Sequence, residues 1–268
     1  MEVKILDAEN KETGKQKLPA QFNTQIRPDM IKQAVETIQA NNRQQYGADP
    51  RAGQRASANL SRRRRDYKGS YGKGISRVPR KTMVRRGMQM IWVGAFAPGT
   101  VGGRKAHPPR AEKIFAKRIN DKERKLAIRS ALAATMNKEI VAQRGHKIPT
   151  QYPFILDNTF EELAKTKDLQ TAFEKLGLQA ELTRGSKQKV RAGKGKTRGR
   201  KYKKATGPLL VVSKNCKTIK AAENIPGVNI VQINNINAED LAPGTHCGRL
   251  TLFTHAAIQK LEKEKLFM

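Results

Sequence analysis

The chain alternates between stretches with a clear apolar period and stretches with none. Ile31, Ala34, Val35 and Ile38 recur at i, i+3, i+4 and i+7, the single stripe of an amphipathic helix, with Pro28 and Asp29 suited to its first turn and Asn41 and Asn42 to its end. A second stripe, Ile128, Ala131, Leu132, Thr135 and Met136, follows an Asn120 to Glu123 spacing that fits a capping box and runs toward a stop at Gly145. A third, Leu169, Ala172, Phe173 and Leu176, ends at Gly177. Between them lie apolar runs of strand length at 1–6, 154–156, 209–212, 228–233 and 250–253. Helix signals follow most of these runs: Thr159 with Glu162, Thr218, a short segment closed by Pro243 and Gly244, and Thr254 ahead of Ile258 and Leu261. Short apolar strands that alternate with helices predict crossovers between parallel strands. The expected fold is α/β, a Rossmann-like layered body with a mainly parallel sheet.

Two stretches interrupt this pattern. Residues 47–110 are rich in Gly and Pro, and their sparse apolar residues keep neither a helical nor a strand period. Residues 184–207 resume no period until Leu209. The expected organisation is a body of residues 1–46 and 111–268, an extended loop at 47–110, and a second basic loop at 184–207 within the body.

Charge turns these gaps into a functional signal. The formal net charge is +31, from 54 Lys and Arg against 23 Asp and Glu. Residues 51–110 hold sixteen Lys and Arg with Asp66 as the one acid, and residues 184–204 hold eleven with none, so these two stretches carry +26 of the total. The remainder is close to neutral, as on an ordinary globular surface. Such a concentration of cations repels itself unless a polyanion neutralises it. No apolar run reaches the roughly 18 residues of a membrane span, and the N-terminus lacks the order of a signal peptide, which leaves nucleic acid and a cytoplasmic setting as the expectation.

The residues expected to bind RNA in the first stretch are Arg51, Arg55, Arg62, Arg63, Arg64, Arg65, Lys68, Lys73, Arg77, Arg80, Lys81, Arg85, Arg86, Arg104, Lys105, His107 and Arg110. Those in the second are Lys187, Lys189, Arg191, Lys194, Lys196, Arg198, Arg200, Lys201, Lys203 and Lys204. Arg forks and Lys ammonium groups bind phosphates, and glycines allow close backbone approach. Tyr46, Tyr67, Tyr71, Trp92 and Phe96 lie among them and suit stacking on unpaired bases. For Trp92 and Phe96 a second reading is open, in which residues 90–93 form a strand-like patch packed on the loop's other arm.

Catalytic and metal chemistries find little support. Gly195-Lys196-Thr197 ends like a phosphate-binding loop, but Val190 occupies the position of its first glycine. Gly72-Lys73-Gly74 is followed by Arg77 where a dinucleotide fingerprint needs glycine. Cys216, His246, Cys247 and His255 share no metal-ligand spacing, and no metal or cofactor is expected beyond magnesium ions held by an RNA partner. Asp157, at the end of a predicted strand, is the best single candidate for a site carboxylate, against its simpler reading as a turn former. The expectation is a non-enzyme without a small-molecule substrate.

Residues 94–110, with the core Gly-Gly-Arg-Lys-Ala-His-Pro-Pro at 102–109, resemble the loop-return signature of the large-subunit ribosomal protein four family in its archaeal and eukaryotic form. The segments from Gly72 to Arg80 and from Leu241 to Arg249 are similar to the same family, and the resemblance covers essentially the whole chain. It implies an α/β body docked on large-subunit ribosomal RNA, a role in early subunit assembly, and a loop that lines the nascent-peptide exit tunnel beside ribosomal protein twenty-two. By motif match, Lys73, Arg77 and Arg80 would lie at the tip of that loop. Some members also bind their own messenger RNA, a second reading of the same surface. The chain ends at Met268 without the long basic extension of eukaryotic members, so an archaeal ribosome is the expected setting.

Overall fold

The computed structural model describes residues 1–87 and 89–268. Its elements in chain order are β1 (Glu2–Leu6), β2 (Glu12–Lys17), α1 (Pro28–Asn41), β3 (Arg80–Arg86), β4 (Gln89–Gly94), α2 (Asp121–Met136) and α3 (Lys138–Gln143). They continue with β5 (Phe154–Leu156), α4 (Thr166–Lys175), α5 (Gln179–Ser186), β6 (Gln188–Val190), β7 (Tyr202–Lys204), β8 (Leu209–Val212) and α6 (Thr218–Glu223). The last are β9 (Asn229–Gln232), α7 (Ala238–Leu241), β10 (Thr251–Thr254) and α8 (His255–Lys263). The chain divides into two units, Met1–Asn42 with Lys117–Met268, and Arg43–Ala116.

In the first unit six strands form one sheet in the order β2-β1-β5-β10-β8-β9. The β1–β2 pair is antiparallel, and every other neighbour is parallel. Alternation along the strands sorts the apolar side chains onto two faces. Val3, Ile5, Ile155, Leu209, Val211 and Phe253 meet the apolar stripes of α1, α2, α7 and α8. Leu6, Phe154, Leu156, Leu210, Val212 and Leu252 meet α3, α4, α5 and α6. Helices on both faces are what a parallel sheet requires, since crossover connections deliver them there. Each fully buried Leu or Phe contributes about 1.5–3 kcal/mol, so the two clusters hold the unit together.

The α/β expectation with a mainly parallel sheet holds, and local details differ. The helix expected to run to Gly145 is two helices, because Asn137 leaves helical geometry and its side chain caps α3 by accepting from the amides of Glu139 and Ile140. Asn120 occupies the N-cap position of α2 but makes no side-chain cap bond. Near residue 159 the capping side chain is that of Asp157, which accepts from the Thr159 amide at 3.4 Å and starts a short 3₁₀ turn. Asp157 is thus a turn former. Thr218 opens α6 from its first helical position and donates its hydroxyl to the Phe160 and Leu163 carbonyls.

The second unit is not structureless. β3 and β4 pair antiparallel from Arg80 opposite Gly94 to Arg86 opposite Gln89, with a bulge between Thr82 and Val84. The outgoing and returning arms also meet: Ala48 N–H donates to the Pro109 carbonyl at 2.9 Å. Gly53 has φ +73 and packs so closely that an added Cβ would lie 2.4 Å from Arg104 N. The strand period was hidden because cations and exposed apolar residues occupy both faces, leaving no buried stripe.

Candidate nucleic-acid interface

Within the Arg43–Ala116 unit, rings and cations pair systematically. Tyr46 and Phe115 stack with centroids 5.9 Å apart and planes 11° from parallel, and the Arg43 guanidinium lies 4.1 Å from the Phe115 centroid. Trp92, in β4 opposite Thr82, carries Lys73 at 5.3 Å and Arg80 at 5.4 Å. The strand reading of residues 90–93 is therefore the one observed. Arg85 sits over Tyr67 at 5.0 Å and Arg77 over Tyr71 at 5.9 Å. Each contact holds a charge beside a flat apolar face, the pairing of features that a nucleotide presents in phosphate and base.

Of the residues matched to the loop tip, Lys73 and Arg80 share the Trp92 ring, while Arg77 lies over Tyr71. Arg80 is tied down further, donating to Ser70 Oγ and the Val78 carbonyl at 3.3 Å and to Ser76 Oγ at 3.0 Å. Arg62, Arg63, Arg64 and Arg65 are exposed on a turn built around Asp66. That carboxylate accepts from Ser61 Oγ and, at 2.7 Å, from the Tyr67 amide, and these bonds hold it below the usual range. The one acid of the stretch thus shapes the arginine turn. His107, Lys105 and Arg110 are exposed and border a cavity of about 840 Å³ with Tyr46 and Lys113. Arg43, Lys113 and Phe115 were missed by sequence reasoning, although a cation near an aromatic residue recurs on both flanks of the expected loop.

In the other unit the second basic stretch is an antiparallel hairpin, Gln188 opposite Lys204 to Val190 opposite Tyr202, not an irregular loop. Its cations at 187, 189, 194, 196, 198, 200, 201, 203 and 204 are exposed. The hairpin root is fixed: Gly207 N–H donates to the Gly227 carbonyl at 3.0 Å, and a Cβ on Gly207 would come within 2.3 Å of that oxygen. Arg184 is no loop cation. It lies on α5, its Nη2 reaches Glu181 Oε1 and the Thr206 carbonyl at 2.6 Å each, and its Nε reaches Glu181 Oε2 at 2.8 Å. Among the described residues of the two basic stretches, ion pairs engage Arg55, through Asp49, and Arg184, through Glu181. The other cations have no carboxylate partner among the described residues, and all but the half-buried Lys68, Arg80, Lys81 and Arg191 are exposed.

Cys216 and Cys247 are free thiols, and no cluster of His, Cys, Asp or Glu able to hold a metal occurs among the described residues. No helix among them is long and apolar enough to cross a membrane.

The sequence matches the ribosomal protein L4/L1 family over residues 16–264. Proteins named large ribosomal subunit protein uL4 align along nearly all of the chain. That of Nanoarchaeum equitans is 48% identical over 268 residues, 100% of both chains. That of Methanosphaera stadtmanae is 46% identical, covering 91% of this chain and 90% of its own, and that of Halobacterium salinarum is 41% identical, covering 97% and 99%. Whole-length identity of this order, joined to a family match over nearly the whole sequence, assigns the chain: it belongs to the ribosomal protein L4/L1 family.

Proposed function

We propose that this protein is a structural component of the large ribosomal subunit that binds large-subunit ribosomal RNA and supports early assembly. The observation that carries the reading is the array of outward-facing cations without acid partners in the Arg43–Ala116 unit and in the β6–β7 hairpin. A polyanion with regularly spaced phosphates is the partner that neutralises such an array. The rings at Tyr46, Tyr67 and Tyr71 offer stacking faces to unpaired bases beside those phosphates. The Rossmann-like body acts as the docking frame. The 47–110 segment acts as an extended loop that lines the nascent-peptide exit tunnel, with Lys73, Arg77 and Arg80 at its tip, next to ribosomal protein twenty-two and the nascent peptide. The protein needs no cofactor of its own, since magnesium ions in such a site belong to the RNA, and it works in the cytoplasm within the ribosome.

The test is binding of the full chain to large-subunit ribosomal RNA fragments across a salt series. Replacing Arg62, Arg63, Arg64 and Arg65 by Gln is expected to weaken binding and lower the salt slope by about one per lost phosphate contact. Unchanged affinity and slope would refute the loop's part. Crosslinks from Lys73 and Arg80 in assembled subunits, to tunnel RNA or elsewhere, decide the tunnel assignment.

A further inference from the structure

Gly207 and Pro208 lead from β7 into β8, and the carbonyls of both accept from a single buried side chain. Arg249, 3% exposed and two residues ahead of β10, reaches the Gly207 carbonyl through Nε at 2.9 Å and the Pro208 carbonyl through Nη2 at 3.5 Å. The same guanidinium donates from Nη1 to the Asp240 carbonyl of α7 at 2.9 Å and from Nη2 to Oδ1 of Asn229, the first residue of β9, at 2.6 Å. One side chain thus joins the exit of the hairpin to β9, α7 and the approach to β10.

A buried cation ordinarily pairs with a carboxylate, yet all four acceptors of Arg249 are neutral. Burial, with repulsion from Arg144, pushes its pKa down to about 10 against the pull of Asp240 and Glu181, so it still carries its charge at neutral pH. An apolar side chain of this volume would avoid that desolvation. What it lacks is a planar fork whose donors fix several carbonyls in set directions.

The carbonyl one residue earlier is held from α5, where Arg184 Nη2 donates to Thr206 O at 2.6 Å while Glu181 fixes the same guanidinium. Two arginines therefore tie three successive carbonyls, 206 to 208. The hairpin itself has no comparable anchor: β6 and β7 meet over three residue pairs and bury no residue. Such a ribbon cannot set its own direction against the sheet, so its root must do so.

We infer that Arg249 is a positioning residue for RNA recognition: from inside the body it fixes the direction in which the hairpin presents Lys201, Lys203 and Lys204, without touching RNA itself. The inference rests on the RNA-binding function proposed above and adds a residue that lies outside both basic stretches. A hairpin held in advance loses less freedom on binding, so a loosened root lowers affinity while every phosphate-binding cation stays in place.

The experiment is a double-mutant cycle on the full chain, read as affinity for a large-subunit ribosomal RNA fragment across a salt series. Arg249→Lys keeps the charge without the fork, and Arg249→Met keeps much of the volume without any donor; where the second does not fold, the first carries the test. Each is measured alone and together with Lys201→Ala/Lys203→Ala/Lys204→Ala, whose side chains are exposed. Arg249→Lys is expected to speed amide exchange over residues 187–208 and to weaken RNA binding about fivefold, with the salt slope unchanged because the cations remain. In the alanine background the same replacement is expected to change affinity no further. A lower melting temperature with unaltered affinity of the folded protein, or an equal loss of affinity in both backgrounds, would overturn the positioning role and leave the RNA-binding function standing. An alanine background that binds as the wild type does would remove the hairpin from RNA recognition and the inference with it. Failure of the wild type to bind RNA would overturn the proposed function itself.

Discussion

His146 Nδ1 lies 2.7 Å from Glu181 Oε1, and both side chains are buried. A carboxylate only accepts, so the imidazole carries its proton on Nδ1 and donates it. Because Arg184 clamps the same carboxylate and also holds the Thr206 carbonyl, this contact ties the segment after α3 to α5 and to the root of the β6–β7 hairpin.

That arrangement sets a pH dependence. Burial pushes the His146 imidazole below its ordinary 6.5, against the opposing pull of Glu181, so the folded protein favours the neutral ring. Burial alone would raise Glu181, but Arg184, His146 and the Lys147 amide outweigh it and hold the carboxyl at about 2. In both cases the unfolded chain binds protons more readily, so stability rises with pH and is lost as the pH drops. The His146 contribution is fully present above pH 6.5 and declines below it; that of Glu181 is present above its ordinary 4.5 and declines toward about 2. Denaturant midpoints of wild type and His146→Asn, followed from pH 8 to pH 5, are expected to converge as the pH drops. Parallel curves would show that His146 does not titrate in this window.

Glu161 is the buried carboxylate that organises the sheet's C-terminal edge. It accepts from Ser213 N at 2.8 Å, Ser213 Oγ at 2.7 Å and Thr254 Oγ1 at 2.6 Å, joining the turn after β5 to the ends of β8 and β10. Glu161→Ala leaves three donors without this acceptor and is expected to cost about 3 kcal/mol in chemical denaturation. Glu161→Gln keeps one acceptor oxygen and is expected to lose less. Equal losses would mean that packing, not hydrogen bonding, is what the carboxylate supplies.

The residues that were legible share one property: burial of an apolar stripe. Ile31, Ala34 and Val35 announced α1 because its other face is solvent, and Leu209 through Val212 announced a strand because both faces are covered. β2 gave no such signal. As an edge strand it is polar throughout, and its lysines discourage further pairing. Of the two basic hairpins only residues 90–93 left a strand signal, since their strands bury almost nothing and derive their order from backbone pairing. Glu161 looked like part of a helix start, and α5 offered little more than Leu182 as an inward residue beside its buried Glu181. The cation set, by contrast, was readable from composition alone, because its lack of acid partners is already a property of the sequence.

Exposure decides where proteases enter. Trypsin acting on the full chain is expected to cut first at Arg62 to Arg65 and between Lys194 and Lys201, where the side chains are exposed and the backbone turns. Arg184 is expected to resist, since its guanidinium is committed to Glu181 and Thr206 on a helix. Mass spectrometry of early fragments reads the order directly, and early cleavage at Arg184 would contradict the clamp.

Gly53 and Gly72 separate two reasons for glycine in the first basic stretch. Their backbones are alike, with φ +73 and +74, so an added side chain meets about the same left-handed strain at each, roughly 1–2 kcal/mol. Their surroundings differ: a Cβ on Gly53 would lie 2.4 Å from Arg104 N and 2.6 Å from Arg104 Cα, whereas one on Gly72 meets nothing within 4 Å. Gly53→Ala must therefore push the outgoing and returning arms apart, while Gly72→Ala leaves their contact alone. Amide exchange in the full chain is expected to rise across residues 48–54 and 103–110 for Gly53→Ala only, with melting of the α/β unit unchanged in both. Since separated arms no longer hold their cations in fixed array, affinity for large-subunit ribosomal RNA should fall further for Gly53→Ala than for Gly72→Ala. If the two variants bind RNA alike, the arm contact contributes nothing to recognition, and the glycine at 53 serves the backbone turn alone.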